Sequence, residues 1–219
     1  MIQALLFDAA GTLFEPAEAV AETYSRLLSP HVGPLDPAEL RGSFGDAFKK
    51  AGDPEYPDFQ DGDTAERHWW RGVVESTVGQ TISDEAFDEL FEYYAHASAW
   101  RIFPEVRSTL AQASEIGLRC SVVSNFDLRL HRILADLDLT FEQVVTSADA
   151  CARKPSPAIF QQALEALDLT RHQVLHVGDT RQADLIGAQA AGIDAFLVER
   201  PTSDLGDFLR WARNHPEFR

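Results

Sequence analysis

Asp8 stands directly after the apolar run Ile2–Phe7 and is followed by Ala9-Ala10-Gly11-Thr12. Three more polar clusters follow apolar runs in the same way: Ser124-Asn125, Lys154-Pro155, and Gly178-Asp179 with Asp184 five residues on. Brought together, these residue types could hold a hard cation between carboxylates. They could hold an anion against hydroxyl, backbone N–H and ammonium groups, and offer a carboxylate as a nucleophile. Gly11 supplies the backbone freedom for a sharp turn after Asp8. Singly, each cluster has a plain structural explanation. Asp-x-x-Gly-Thr is also a capped turn, and a Ser-Asn pair after a strand is often only a turn. Lys154 could be a surface cation beside a helix start, and Asp179 and Asp184 could be helix caps. The functional reading rests on the four clusters in this order.

The elements that must position them are visible in the hydrophobic pattern. Ile2–Phe7, Leu118–Val123, Gln143–Thr146, Val174–Val177 and Ala195–Val198 are short apolar runs rich in β-branched residues and predict strands. Between them, Glu105–Ile116, Leu128–Leu137, Pro157–Leu167 and Gln182–Ala191 carry helical periodicity, and Leu205–Asn214 predicts a final helix. Strands alternating with helices imply crossovers and a parallel sheet, in an α/β, Rossmann-like core. Ligands collect beyond the carboxyl ends of such strands. Asp8, Ser124 and Asp179 fall at those ends, and Lys154 follows the third strand closely.

Residues 16–100 differ. They are helical in pattern, with loops around Pro30–Pro37 and Gly52–Gly62, and predict four helices: Ala17–Leu28, Pro37–Lys50, Asp63–Thr77 and Asp84–Ala97. The expected organisation is a core formed by 1–15 and 101–219 with a helical insertion, 16–100, between the first strand and the rest of the sheet, connected near Phe14–Ala17 and Trp100–Pro104.

The chain has 219 residues, with 19 basic and 35 acidic side chains and a formal charge of −16. Such a surface repels nucleic acid and anionic membranes, so neither is an expected partner. Met1–Phe7 is apolar, but Asp8 interrupts it and no basic region precedes it, so a signal peptide is not expected. Cys120 and Cys151 sit in apolar segments without metal-ligand spacing and read as reduced, buried thiols of a cytoplasmic protein.

The ordered set of motifs resembles the haloacid dehalogenase superfamily, in its form with a helical cap after the first strand, over essentially the whole chain. Most members are Mg²⁺-dependent phosphohydrolases, which implies a small phosphorylated metabolite as substrate. The resemblance makes Asp8 the nucleophile, forming an aspartyl-phosphate, and a metal ligand with the Ala10 carbonyl, Asp179 and Asp184. Asp184 would be a second ligand or act in the outer shell. Thr12, Ser124, Asn125 and Lys154 would hold the phosphoryl oxygens, and Lys154 would keep Asp8 ionised. Arg153 is expected only to decorate its loop, and His131 and His176 to serve structure.

Ala10 departs from the pattern. The family's phosphatases carry an aspartate there that protonates the leaving oxygen and later activates water, and losing such a group costs about 10²–10⁴-fold. A good leaving group, such as that of an acyl phosphate, a substrate that brings its own acid, or an acid lent by the cap would compensate. Phosphonoacetaldehyde hydrolase, in the same superfamily, also has alanine here and uses a cap lysine to cleave a carbon–phosphorus bond. Lys49 and Lys50 lie in the cap, though Phe48-Lys-Lys-Ala51 does not resemble that enzyme's signature, and a solvated helix face is the alternative. A non-catalytic binding protein that kept the fold is the third reading. Metal-independent 2-haloacid dehalogenases usually have an aromatic residue in place of Ala10, and Gly178-Asp-Thr-Arg-Gln-Ala-Asp184 follows the metal-dependent pattern instead. His68-Trp-Trp-Arg71 with Ala10 resembles one subgroup of these hydrolases shared by eukaryotes and bacteria. The tryptophans, with Trp100, are expected to serve packing.

Overall fold

β1 (Ala4–Phe7) consists of four apolar residues, all fully buried. That pattern belongs to a parallel strand covered on both faces. The computed structural model describes residues 1–218. After β1 come a short strand, β2 (Phe14–Pro16), four helices, α1 (Val20–Val32), α2 (Pro37–Lys50), α3 (Gly62–Val78) and α4 (Asp84–Tyr93), and a second short strand, β3 (Trp100–Ile102). Helices and strands then alternate through α5 (Val106–Glu115), β4 (Arg119–Ser124), α6 (Arg129–Asp136), β5 (Val144–Thr146), the single turn α7 (Ser147–Ala150), α8 (Pro157–Leu167) and β6 (Val174–Gly178). A π-helical segment, Arg181–Ile186, runs into α9 (Gly187–Ala190), followed by β7 (Asp194–Leu197) and α10 (Leu205–Arg213).

The main sheet has the order β5-β4-β1-β6-β7, every pair parallel. The chain winds outward from β1 on one side and then on the other, so β1 lies where the winding reverses. The carboxyl ends of β4, β1 and β6 border that switch point, where open α/β sheets bind ligands. Side chains alternate across the sheet. Ala4 and Leu6 pack with Val123, Val145 and Val174 against Ile159, Phe160, Ala163 and Leu164 of α8. Phe7 points to the other face, where its ring meets Phe141 and Phe208.

The chain divides into two compact units, Met1–Glu15 with the stretch from Ile102 onward, and Pro16–Arg101. β2 and β3, which contain the crossings, pair with each other. The inserted unit has its own core, formed by Ala21, Tyr24 and Leu28 of α1 with Leu40, Val74, Phe87 and Leu90. Asp36, Asp61 and Ser83 cap the starts of α2, α3 and α4 by accepting from backbone N–H groups. Among the described residues, no helix is long and apolar enough to cross a membrane.

Several local expectations are corrected. α1 starts at Val20 rather than Ala17, because the Ala17 N–H is bonded to the Ala99 carbonyl at 2.8 Å and holds the preceding residues out of the helix. It also runs through Pro30 to Val32, since a proline in the last turn breaks only one helical bond before Gly33 ends the helix. α4 stops at Tyr93, and the indole of Trp100 donates to the Tyr94 carbonyl at 3.1 Å. Gln182–Ala191 is not one α-helix, because its first part is wound more widely and turns Asp184 inward. Cys151, expected to be buried, is exposed at the left-handed residue that ends α7.

Phe160, fully buried, joins α8 to the sheet. Phe160→Ala is expected to lower the unfolding free energy by about 3–5 kcal/mol in urea denaturation. A loss below about 1 kcal/mol would show that α8 does not share the sheet's core.

Candidate active site

Asp8 projects just past β1, its N–H bonded to the Val177 carbonyl of β6 at 2.9 Å. Lys154 arrives from the loop before α8. Its Nζ lies 2.8 Å from Asp8 Oδ1 and 2.5 Å from Asp184 Oδ1, and its side chain is 1% exposed. The ammonium therefore directs two of its three protons at carboxylates and keeps one for another acceptor. Asn125, at the end of β4, clamps the lysine's backbone: its Oδ1 accepts from the Lys154 N–H at 2.7 Å and its Nδ2 donates to the Lys154 carbonyl at 2.9 Å.

Asp184 is held from several sides. Its Oδ1 accepts from Lys154 and lies 3.1 Å from His176 Nε2, while its Oδ2 accepts from the Thr180 N–H at 2.9 Å. One oxygen each from Asp8, Asp179 and Asp184 can lie within 4.8 Å of one another. Two glycines make this approach possible. A Cβ on Gly11, whose φ is +85°, would lie 2.3 Å from the Asp179 carboxylate, and one on Gly178 would lie 2.0 Å from Asp184 Cγ. Gly11 is thus required twice, by its conformation and by its neighbour.

The electrostatics follow from crowding. Burial pushes the Asp8 carboxyl up and Lys154 pulls it down, with Asp184 adding a further upward push, and the net direction is up. Partial burial of its carboxyl, then the charges of Asp8 and Asp184, push Asp179 up to about 7, although the residue as a whole is exposed. Burial also acts against ionisation of Asp184, but Lys154 and His176 outweigh it and hold this carboxyl below the usual range. For Lys154, burial is outweighed by Asp184 and Asp8, so its ammonium form is favoured. Three carboxylates around one ammonium leave an excess of negative charge. An all-oxygen donor set of this kind fits a hard divalent cation.

The other expected residues fall as follows. Ser124 is buried at the end of β4, and its hydroxyl contributes a hydrogen bond to Asp8. Thr12 is buried with no hydrogen-bond partner for its hydroxyl. Ala10 is half-buried on the turn after Asp8. The side-chain amide of Asn125 is engaged with Lys154, so an anion at this strand end would meet its backbone N–H rather than its carboxamide. Arg153, expected only to decorate its loop, is buried. His131 is bonded to Asp149 at 3.2 Å.

His176, expected to serve structure, touches Asp184, and its signal is a polar residue inside the apolar run of β6. One contributor was missed. Arg200 donates to the Thr12 carbonyl at 3.1 Å and to Glu105 at 2.6 Å, and stacks 3.6 Å over the Phe103 ring. It braces the turn after Asp8 from far along the chain, with no local sequence signal.

A carboxyl raised from 3.8 to about 7 gives stability that is complete below pH 4 or so and lost as pH rises towards 7. Asp184, held low, contributes in the opposite sense and below that window. In metal-free protein, Asp179→Asn is therefore expected to raise the thermal midpoint relative to the parent progressively between about pH 4 and 7 and by a constant amount above that. A difference independent of pH across that range would contradict the crowding.

Comparison with known proteins agrees with this geometry. The family model described as haloacid dehalogenase-like hydrolase matches residues 2–192. Haloacid dehalogenase-like hydrolase domain-containing protein 3 of Danio rerio is 34% identical over 206 residues, spanning 90% of this chain and 84% of that protein. A phosphoserine phosphatase of Thermus thermophilus is 31% identical over 141 residues, 60% of this chain and 57% of that one. The solved structure of a 2-haloacid dehalogenase from Pseudomonas syringae matches with a TM-score of 0.61 and 29% identity, covering 90% of this chain and 86% of that one. The acidic cluster and its lysine thus sit within a match that runs through most of the sequence, and the chain belongs to the haloacid dehalogenase-like hydrolases.

Proposed function

We propose that this hydrolase is a phosphohydrolase that uses Mg²⁺, acts through an aspartyl-phosphate on Asp8, and works best on small metabolites with good leaving groups. The observation that carries the reading is Lys154, buried with its ammonium against Asp8 and Asp184 and one proton unassigned. A phosphoryl oxygen is the acceptor that this proton suits. The unpartnered Thr12 hydroxyl, the Ser124 hydroxyl and the Asn125 backbone N–H would receive the other oxygens. Asp8, Asp179, Asp184 and the Ala10 carbonyl would hold the Mg²⁺, which would offset the charge of carboxylate and phosphate as they approach.

The Asp8 oxygen not held by Lys154 attacks phosphorus, forming a P–O bond as the bond to the leaving oxygen breaks with its electron pair. Water then cleaves the aspartyl-phosphate, releasing phosphate and restoring Asp8. Residue 10 offers no proton to the leaving oxygen and no base to the water. A carboxylate or phenolate leaves readily without one, whereas an alkoxide does not. Similarity to a phosphoserine phosphatase supports phosphoryl chemistry, and Ala10 supports the restriction on leaving group. Lys49 and Lys50 are exposed in the last turn of α2, so nothing observed favours the lysine-based cleavage of phosphonates.

The test is Mg²⁺-dependent phosphate release from acetyl phosphate, p-nitrophenyl phosphate and a simple alkyl phosphate. Turnover is expected to fall in that order and to vanish in Asp8→Asn. Ala10→Asp is expected to raise alkyl phosphate turnover by up to about 10²–10⁴-fold. Absence of turnover in both the parent and Ala10→Asp would refute the proposal and leave a binding role. Metal-independent halide release from 2-halo acids would replace it with dehalogenation.

A further inference from the structure

We infer that His176 is a positioning residue that fixes Asp184, and through it the Lys154 ammonium, at Asp8. The inference deepens the proposed function and rests on it for the identity of the metal. His176 is fully buried in β6, in register with Leu6 of β1, two residues before the glycine that Asp184 packs against. Its ring stands edge-on to Phe160 with centroids 5.1 Å apart, and its Nε2 is 3.1 Å from Asp184 Oδ1. The other ring nitrogen, Nδ1, is buried with no partner.

That asymmetry determines the tautomer. A buried N–H without an acceptor is costly, whereas a bare buried ring nitrogen leaves only a lone pair unmatched. The proton therefore belongs on Nε2, where it is donated to Asp184. Lys154 and His176 share the same Asp184 oxygen, so this carboxylate is held even when the ammonium moves. Without His176, Lys154 would be the only side chain bound to Asp184 Oδ1 among the contacts described, and the two would be free to shift together away from Asp8. Thr180 holds only the other oxygen, through its backbone, and cannot prevent rotation about it. Groups that orient ligand carboxylates in this way typically govern affinity by about 10–100-fold.

The test uses the full chain and the variants H176L, which removes the donor, and H176Q, whose amide can donate from nearly the same place. Mg²⁺ affinity is measured by calorimetry, and the tautomer by long-range ¹H–¹⁵N spectra of metal-free protein. The expected results are a proton on Nε2 of His176, Mg²⁺ binding weakened at least about 10-fold in H176L, and recovery to within a few-fold in H176Q. A folded H176L variant that binds Mg²⁺ as the parent does would overturn the inference, as would H176Q binding no better than H176L. A parent that binds no Mg²⁺ would refute the metal reading above instead. The inference would then be decided by the spectra alone: a proton on Nδ1 overturns it, and a proton on Nε2 that responds to Asp184→Asn upholds it.

Discussion

A buried ammonium flanked by carboxylates is the interaction on which the rest of the site depends. Lys154 is 1% exposed and touches Asp8 and Asp184 at 2.8 and 2.5 Å. Isolated charges taken out of water cost several kcal/mol each, and only mutual pairing with good geometry offsets that. Removing the lysine would leave three carboxylates facing one another. Removing Asp8 or Asp184 would leave the lysine with less to balance its burial. These three groups are therefore stable only as a set, and the negative excess that Asp179 adds makes the site a receptor for positive charge.

The backbone around this set is shaped by close approach rather than by side-chain packing. Gly11 gives room to Asp179 and Gly178 to Asp184, and a Cβ on Gly187 would come within 2.8 Å of Pro155, next to Lys154. The wider winding of Arg181–Ile186 serves the same end by directing Asp184 inward, and π-turns are frequent at functional sites. Support comes from residues around the acidic cluster. Asn125 fixes the Lys154 backbone, His176 holds Asp184, and Arg200 braces the turn that carries Thr12.

Ala10 sets the chemistry apart from the scaffold. In the proposed reaction the surrounding groups would provide for charge and orientation, the larger part of phosphoryl transfer. Proton transfer would be the part left without a side chain at this position. A fold of this kind hosts more than one reaction. The choice among them therefore lies with the leaving group and with residue 10 rather than with the sheet.

Much of the architecture was legible because it follows from local patterning. Short β-branched runs, helical periodicity and the polar residue ending each run located the sheet and placed Asp8, Ser124, Lys154 and Asp179 near one another. Boundaries were less legible where tertiary hydrogen bonds decided them, as at Ala17 and Trp100. The sequence by itself determined which residue types reach the carboxyl edge, because strand ends are written in the alternation of apolar and polar residues. Only the tertiary structure decided their roles. It bound the Asn125 amide to Lys154, buried Arg153, brought His176 to Asp184 and Arg200 to Thr12, and exposed Cys151. Each of these depends on contacts between residues distant in sequence or on a turn's exact path, and no local pattern encodes them.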